Sequence, residues 1–379
     1  MVFLSAGTVL GGAQISLLAL VGALAGTVRA VLMAPPVGPL VERLRSEGLV
    51  AEHVVIADRL TRGQLWARVS VFARGGLWMM RNRRRIRAVH ANGDSELTYL
   101  IPLLPLLAWS NVPVIVWYHS RSLAPWTARL AWLWRRLHNH IVWVPVSDAS
   151  ARELEAANIT ATNCVVIGNP IDANLVAGVR RPVRSDDRLV LGYLGFENEI
   201  KGILVLPGIA AAVRDLPVQI VCVTKEWPPE RNSPAVNTAL DALRALQPSV
   251  RFEARDHDVR NVYEQIDALL VPSLSESFCR IAAEAMVNHQ PVVASDLPAL
   301  REVCGDDEAA LFFPPGDAAA AANCVRRLVE ERGLYDRLAA GGGRRAQRFD
   351  PARIASQFAE LYRSASRREP VGQGPTGHE

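Results

Sequence analysis

The chain has 379 residues, enough for two domains with cores of their own, and half of them are apolar against about a fifth charged, a globular balance. The formal charge of +4 is unevenly spread: residues 1–184 carry 20 Arg against 10 acids, while 185–379 carry 22 basic residues against 28 acids. A basic half suits nucleic acid, an anionic membrane surface or an anionic substrate, and no zinc-finger, RNP or homeodomain pattern accompanies it, which disfavours nucleic acid.

The five cysteines are widely spaced and mostly lie in apolar runs, without C-x-x-C or Cys/His ligand spacing. Reduced thiols, no zinc or other metal site and a cytoplasmic location are therefore expected. Only Lys201 and Lys225 are lysines, so 40 of the 42 basic residues are Arg. Each retained Lys draws notice for that reason.

In chain order, residues 2–5 read as a short strand, and Gly11-Gly12 as a turn into a helix over 15–24. Such a turn lets backbone amides approach a diphosphate, and tight packing of helix on sheet would explain it as well. It is not G-x-G-x-x-G and no acid follows at the ribose distance, which disfavours a nicotinamide fold. A second strand is expected over 28–33, an amphipathic helix from Gly38 and a strand over 54–57. Gly26 and Arg29 interrupt residues 15–34, and Pro102, Pro105, Asn111 and Pro113 interrupt 98–117, so no transmembrane helix is expected.

Residues 77–87 and 126–136 set aromatic side chains beside clustered arginines. They suit an anionic bilayer surface or an ordinary solvated face over a core helix. Residues 88–92 and 112–117 look like strand ends leading to His90 and His119, positions that face ligand in an open parallel sheet. His119 can donate to sugar hydroxyls or to a transferring group, or be structural. Ser147 caps the next helix, with Asp148 in its first turn.

Residues 173–187 read as an interdomain linker. A second series follows, with strands over 189–194, 218–223, 250–253, 268–271 and 292–294 and helices over 203–213, 316–333 and 334–366. The fold class is α/β, two Rossmann-like domains facing across a cleft. The central stretch is 271–296, where a strand end and a turn lead into a helix expected to begin near Glu276 to Phe278. On one helix, Glu276 and Glu284 would stand about 80° apart around the axis and about 12 Å apart along it. That suits a phosphate at the helix mouth with a hydroxylated ring deeper in, or simply an α/β helix carrying two acids.

Glu276 to Ala285 resembles the E-x7-E signature of retaining, nucleotide-sugar-dependent glycosyltransferases of the GT-B fold, the family-4 group. The match extends in order along the chain. Gly11-Gly12-Ala13 resembles the amino-terminal glycine loop, Tyr118-His119 the strand-end His, Val146-Ser147 the "VS" element and Ile167 to Asp172 the "IPNGID" element. Gly195 to Gly202 resembles G-R-x(n)-K-G, and Leu311 to Asp317 "GLLVPPGD". The resemblance implies an acceptor-side domain over 1–172, a linker over 173–187 and a nucleotide-sugar domain over 188–345. A C-terminal helix over 346–366 and a disordered tail over 367–379 complete the expected layout.

By the same resemblance, Lys201, Glu276 and His119 would be the catalytic residues. Lys201 would neutralise the leaving diphosphate, and His119 would contact the donor sugar. Glu284 would bind the ribose hydroxyls, with Gly11, Gly12, Ser277, Phe278, Cys279 and Arg280 completing the donor site. No cofactor or metal is implied. The partners would be a nucleotide-sugar donor and a glycan or lipid-linked acceptor in cell-surface polysaccharide synthesis, with peripheral contact at the inner face of the membrane and no nucleic acid. Two departures stand out: Phe196 replaces the usual Arg, and Cys279 a usual Gly. Arg280 is then a candidate for the missing diphosphate cation. The alternatives are a degenerate relative that binds a nucleotide or glycan without turnover, and a sugar-nucleotide epimerase of the same fold.

Overall fold

The computed structural model describes residues 1–7, 10–56, 65–120, 123, 141–157, 159, 164–172, 188–195, 198–224, 229–254 and 259–367. They divide into two compact units: Met1–Pro170 together with the chain from Pro351 onward, and Ile171–Asp350. The expected linker over 173–187, the basic run over 126–136, Phe196 and the tail from residue 368 lie outside the described residues.

In the first unit, β1 (Val2–Leu4), β2 (Val31–Ala34), β3 (Glu52–Val55), β4 (Val89–Ala91), β5 (Val114–Tyr118) and β6 (Ile141–Pro145) form one parallel sheet in the order β3-β2-β1-β4-β5-β6. Val2 pairs with Val31 on one side and Val89 on the other, so β1 sits centrally and is buried along its length. Continuous apolar strands are what a parallel sheet covered on both faces requires. One face holds Leu4, Met33, Ala91, Val116 and Leu103.

His90 is a correction to the sequence reading. It lies within β4, has no exposed surface, and meets the rings of Phe3, Trp117, Phe358 and Tyr362 rather than a ligand surface. Its Nδ1 lies 2.7 Å from the Tyr362 hydroxyl. Burial in this aromatic cluster, with His119 as a lesser cause, lowers its pKa to about 3. These contacts bring the C-terminal helix Pro351–Arg367 into the first unit, where it packs on the helix Gly12–Ala23.

In the second unit, β7 (Leu189–Leu194), β8 (Val218–Thr224), β9 (Val250–Ala254), β10 (Ala268–Val271), β11 (Val292–Ser295) and β12 (Ala310–Phe313) form a parallel sheet in the order β12-β11-β10-β7-β8-β9. Read from its other edge, it repeats the strand order of the first unit. In both sheets the direction of winding reverses between the first and fourth strands, at β1 and β4 and at β7 and β10. That reversal is where open α/β sheets bind ligands, beyond the carboxyl ends of the strands.

The continuous helix expected over 334–366 is two helices, Leu334–Ala346 and Pro351–Arg367, separated by a 3₁₀ turn at Gln347–Phe349. Pro351 supplies the reason, since it disfavours helical backbone at the residue before it. Asp350, at φ −55° and ψ 130°, is extended. The basic run over 77–87 closes the helix Leu65–Asn82, with Leu77, Met80 and the neighbouring arginines exposed. Among the described residues, no helix is long and apolar enough to cross a membrane.

Candidate functional site

The site in the second unit grows from the two loops at the winding reversal. After β7, a 3₁₀ turn over Glu199–Lys201 is capped by Asn198, whose Oδ1 accepts from the Lys201 amide at 2.9 Å. Gly202 ends the turn at φ 76°, and a Cβ there would lie 1.9 Å from the Pro272 carbonyl oxygen. Only glycine satisfies both the backbone angle and the close approach. The Leu274 amide then donates to the Ile200 carbonyl at 2.8 Å, tying the loop after β7 to the loop after β10.

This joining places Lys201 Nζ 2.7 Å from Glu276 Oε1, which also accepts from the Ser273 hydroxyl at 2.7 Å. The Glu276 side chain is 5% exposed and that of Lys201 26%, so the pair sits at the border of solvent and protein. An ammonium held there is oriented before any ligand arrives.

The helix after β10 begins later than the sequence suggested. It spans Arg280–Val287, with Cys279 as its N-cap at φ 71° and ψ 72°. Glu276 therefore lies in the preceding loop, and the two signature acids do not share one helix as expected. The left-handed Cys279 turns the chain at the helix start, a conformation glycine adopts without cost and other residues do not. The Phe278 side chain points into protein, edge-on to Phe349 at 5.2 Å. Burial first, then the nearby Glu276 charge, raises the Cys279 thiol well above its ordinary pKa of 9.0.

Glu284 is buried on this helix. Tyr263, which the sequence reading missed, donates its hydroxyl to Glu284 Oε2 at 2.8 Å. Burial, followed by the adjacent Glu284 charge, raises the Tyr263 phenol well above 10.0 and keeps it a donor. Arg280 Nε lies 2.7 Å from Glu284 Oε1. The guanidinium expected to meet a diphosphate is thus engaged with the other signature acid. No short spacing announces Tyr263, which stands 21 residues before Glu284 on the helix Val259–Gln265.

The first unit holds the remaining expected residues. Gly11 is the N-cap of the helix Gly12–Ala23, and its amide donates to Gln14 Oε1 at 3.2 Å. A Cβ on Gly12 would meet none of the described residues within 4 Å. His119 follows β5 with its ring 4.6 Å from that of Trp117. Next to it, the Ser120 hydroxyl donates to Asp94 Oδ1 at 2.7 Å. Glu96 reaches across to accept from the Ala6 amide at 3.1 Å and from the Ser95 hydroxyl at 2.6 Å. Burial raises the Glu96 pKa against the lowering effect of those bonds. The sequence signal for these two acids was the run Gly93-Asp94-Ser95-Glu96 at a strand end. Lys201, Glu276, Ser277, Phe278, Cys279, Arg280 and Glu284 are brought together in the second unit, whereas Gly11, Gly12 and His119 belong to the first.

Comparison with known families agrees with this arrangement. Residues 10–175 match the pattern described as Glycosyltransferase Family 4, and residues 188–331 that described as Glycosyl transferases group 1. A phosphatidyl-myo-inositol mannosyltransferase of Mycobacterium leprae is 28% identical over 301 residues, covering 74% of this chain and 77% of that protein. A D-inositol 3-phosphate glycosyltransferase of a Nocardioides species is 30% identical over 206 residues, 52% of this chain and 43% of its own length. Among solved structures, the Anabaena protein HepE in complex with UDP and glucose superposes with a TM-score of 0.76 at 21% identity, covering 96% of this chain and 99% of that one. A glycosyltransferase from Rickettsia africae gives 0.80 at 15% identity, over 96% and 97%. With each of the two units matched along most of its length, this protein belongs to the family-4, group 1 glycosyltransferases and has the two-domain GT-B fold.

Proposed function

We propose that the protein transfers a sugar from a nucleotide-sugar donor to a hydroxyl of a lipid-linked or glycan acceptor, with retention of anomeric configuration, in the building of cell-surface glycans. The observation that carries this reading is the Lys201–Glu276 pair at the winding reversal of the second sheet, with Glu284 on the helix that follows. Breaking a glycosyl phosphate bond builds negative charge on the leaving diphosphate, and a preset cation stabilises that charge without reorganising. Lys201 serves as that cation. Glu276 orients the ammonium and accepts from hydroxyls of the transferred sugar, and Glu284 accepts from the ribose. His119 contacts the donor sugar, and the Gly11-Gly12 turn lets backbone amides reach phosphate oxygens. The reaction proceeds without a metal.

Two of the relatives act, by their names, on inositol-bearing acceptors, which makes a phosphoinositol lipid the first acceptor to test. A peripheral membrane contact would serve such an acceptor. Leu77, Met80 and Trp109 are exposed, and Arg83 lies 5.4 Å over the Trp109 ring, among further exposed arginines. Exposed apolar side chains beside arginines suit an anionic lipid surface.

The test is nucleotide release from UDP-, GDP- and ADP-sugars, with and without phosphoinositol lipid and with and without EDTA. Acceptor-dependent release of one nucleotide, unchanged by EDTA, is expected. Binding without release from any donor would overturn turnover in favour of a binding protein, a reading to which the non-glycine Cys279 at the helix start lends support.

A further inference from the structure

Arg280 occupies the first turn of its helix, where the helix dipole disfavours a cation. It precedes Glu284 by four residues, and the order cation-then-acid is the less favourable one for such pairs. Both side chains are nearly buried, 9% and 6% exposed, and a buried ion pair is a poor source of stability compared with apolar side chains of the same volume. Helix stability therefore does not explain why an arginine stands here.

The carboxylate it faces offers a different explanation. Arg280 contacts Oε1 and the Tyr263 hydroxyl donates to Oε2, one partner on each oxygen. Each carboxylate oxygen has two acceptor positions, so accepting capacity remains on both. Two adjacent acceptors match the two hydroxyls of a vicinal diol. Tyr263 is itself anchored, because the Gln290 side-chain amide donates to the Tyr263 and Ile266 carbonyls at 2.6 and 2.7 Å.

We infer that Arg280 is a positioning residue which, together with Tyr263, fixes the Glu284 carboxylate for the 2′,3′-diol of a nucleotide and so sets the preference for ribo- over 2′-deoxyribonucleoside diphosphates. This rests on the reading that Glu284 holds the ribose. It gives Arg280 a role separate from charge neutralisation at the diphosphate.

Calorimetric titration of the full chain with UDP against 2′-deoxy-UDP, and GDP against 2′-deoxy-GDP, tests it. The wild-type protein favours the ribo form of the base it accepts. Glu284→Gln removes that preference. Arg280→Leu lowers the ribo-to-deoxy affinity ratio about tenfold, through loss of the ion pair that holds the carboxylate, and Arg280→Lys restores most of it. Tyr263→Phe lowers the ratio in the same direction and serves if Arg280→Leu does not fold. A ratio unchanged in Arg280→Leu, with both affinities falling alike, overturns the role of Arg280 while the Glu284 result leaves the ribose reading standing. A ratio unchanged in Glu284→Gln overturns the ribose reading and the inference with it.

Discussion

Lys201 Nζ and Glu276 Oε1 stand 2.7 Å apart although 75 residues separate them in sequence, because the loops after β7 and β10 are neighbours in the sheet. Under the proposed reaction, Lys201→Ala removes a cation set for the leaving diphosphate and is expected to lower kcat about 10²–10³-fold, the scale for losing one preset electrostatic contact. Among the described residues it leaves Glu276 with the Ser273 hydroxyl alone, at a cost of about 1–3 kcal/mol in urea unfolding. Steady-state kinetics and denaturation on one preparation check both.

Two glycines separate conformation from chemistry. Gly202→Ala puts a Cβ against the Pro272 carbonyl at a positive φ, so the loop must move. A loss of more than about 3 kcal/mol is expected, with activity lost in parallel. Gly12→Ala meets none of the described residues and is expected to keep the unfolding midpoint, while donor affinity falls if this backbone approaches phosphate. Thermal melts with and without nucleotide distinguish the two behaviours.

His90 makes the first unit sensitive to acid. Its pKa is lowered from 6.5 to about 3 in the folded chain, so the unfolded state binds the proton more readily. The stability it contributes is complete above pH 6.5 and is lost as pH falls toward 3. Urea midpoints at pH 7.5, 5.5 and 4.5 should fall in that order, and His90→Gln should flatten the trend.

Cys279 holds a left-handed backbone that costs a non-glycine residue about 1–2 kcal/mol. Cys279→Gly is expected to relieve that strain, offset in part by greater freedom of the unfolded chain, for a net change within about 1 kcal/mol. Cys279→Val, β-branched at the same angle, lowers stability by more than about 2 kcal/mol. The buried thiol, held well above its usual pKa, resists a thiol-specific reagent until the protein unfolds.

The alternation of apolar strand and amphipathic helix was legible throughout, since parallel strands buried on both faces leave continuous apolar runs. The E-x7-E spacing led directly to Glu276 and Glu284. Their geometry was misread because a seven-residue gap looks helical, and nothing in the sequence fixes the left-handed Cys279 that delays the helix to Arg280. His90 was misplaced for a related reason. A histidine near a strand end looks ligand-facing until the aromatic side chains of a helix encoded more than 260 residues later are seen to surround it. Tyr263 and Glu96 act through contacts between separate elements, which local spacing does not carry.

The return of helix Pro351–Arg367 to the first unit has a consequence for biosynthesis. Phe358 and Tyr362 complete the aromatic cluster around His90, yet they leave the ribosome after all of Ile171–Asp350. Chains made from the amino terminus generally fold unit by unit as they emerge. Here the half translated first is the half finished last, and a chain that has emerged as far as Asp350 carries a complete second unit and a first unit with its aromatic cluster still open. Such a chain would present that open cluster to chaperones and proteases.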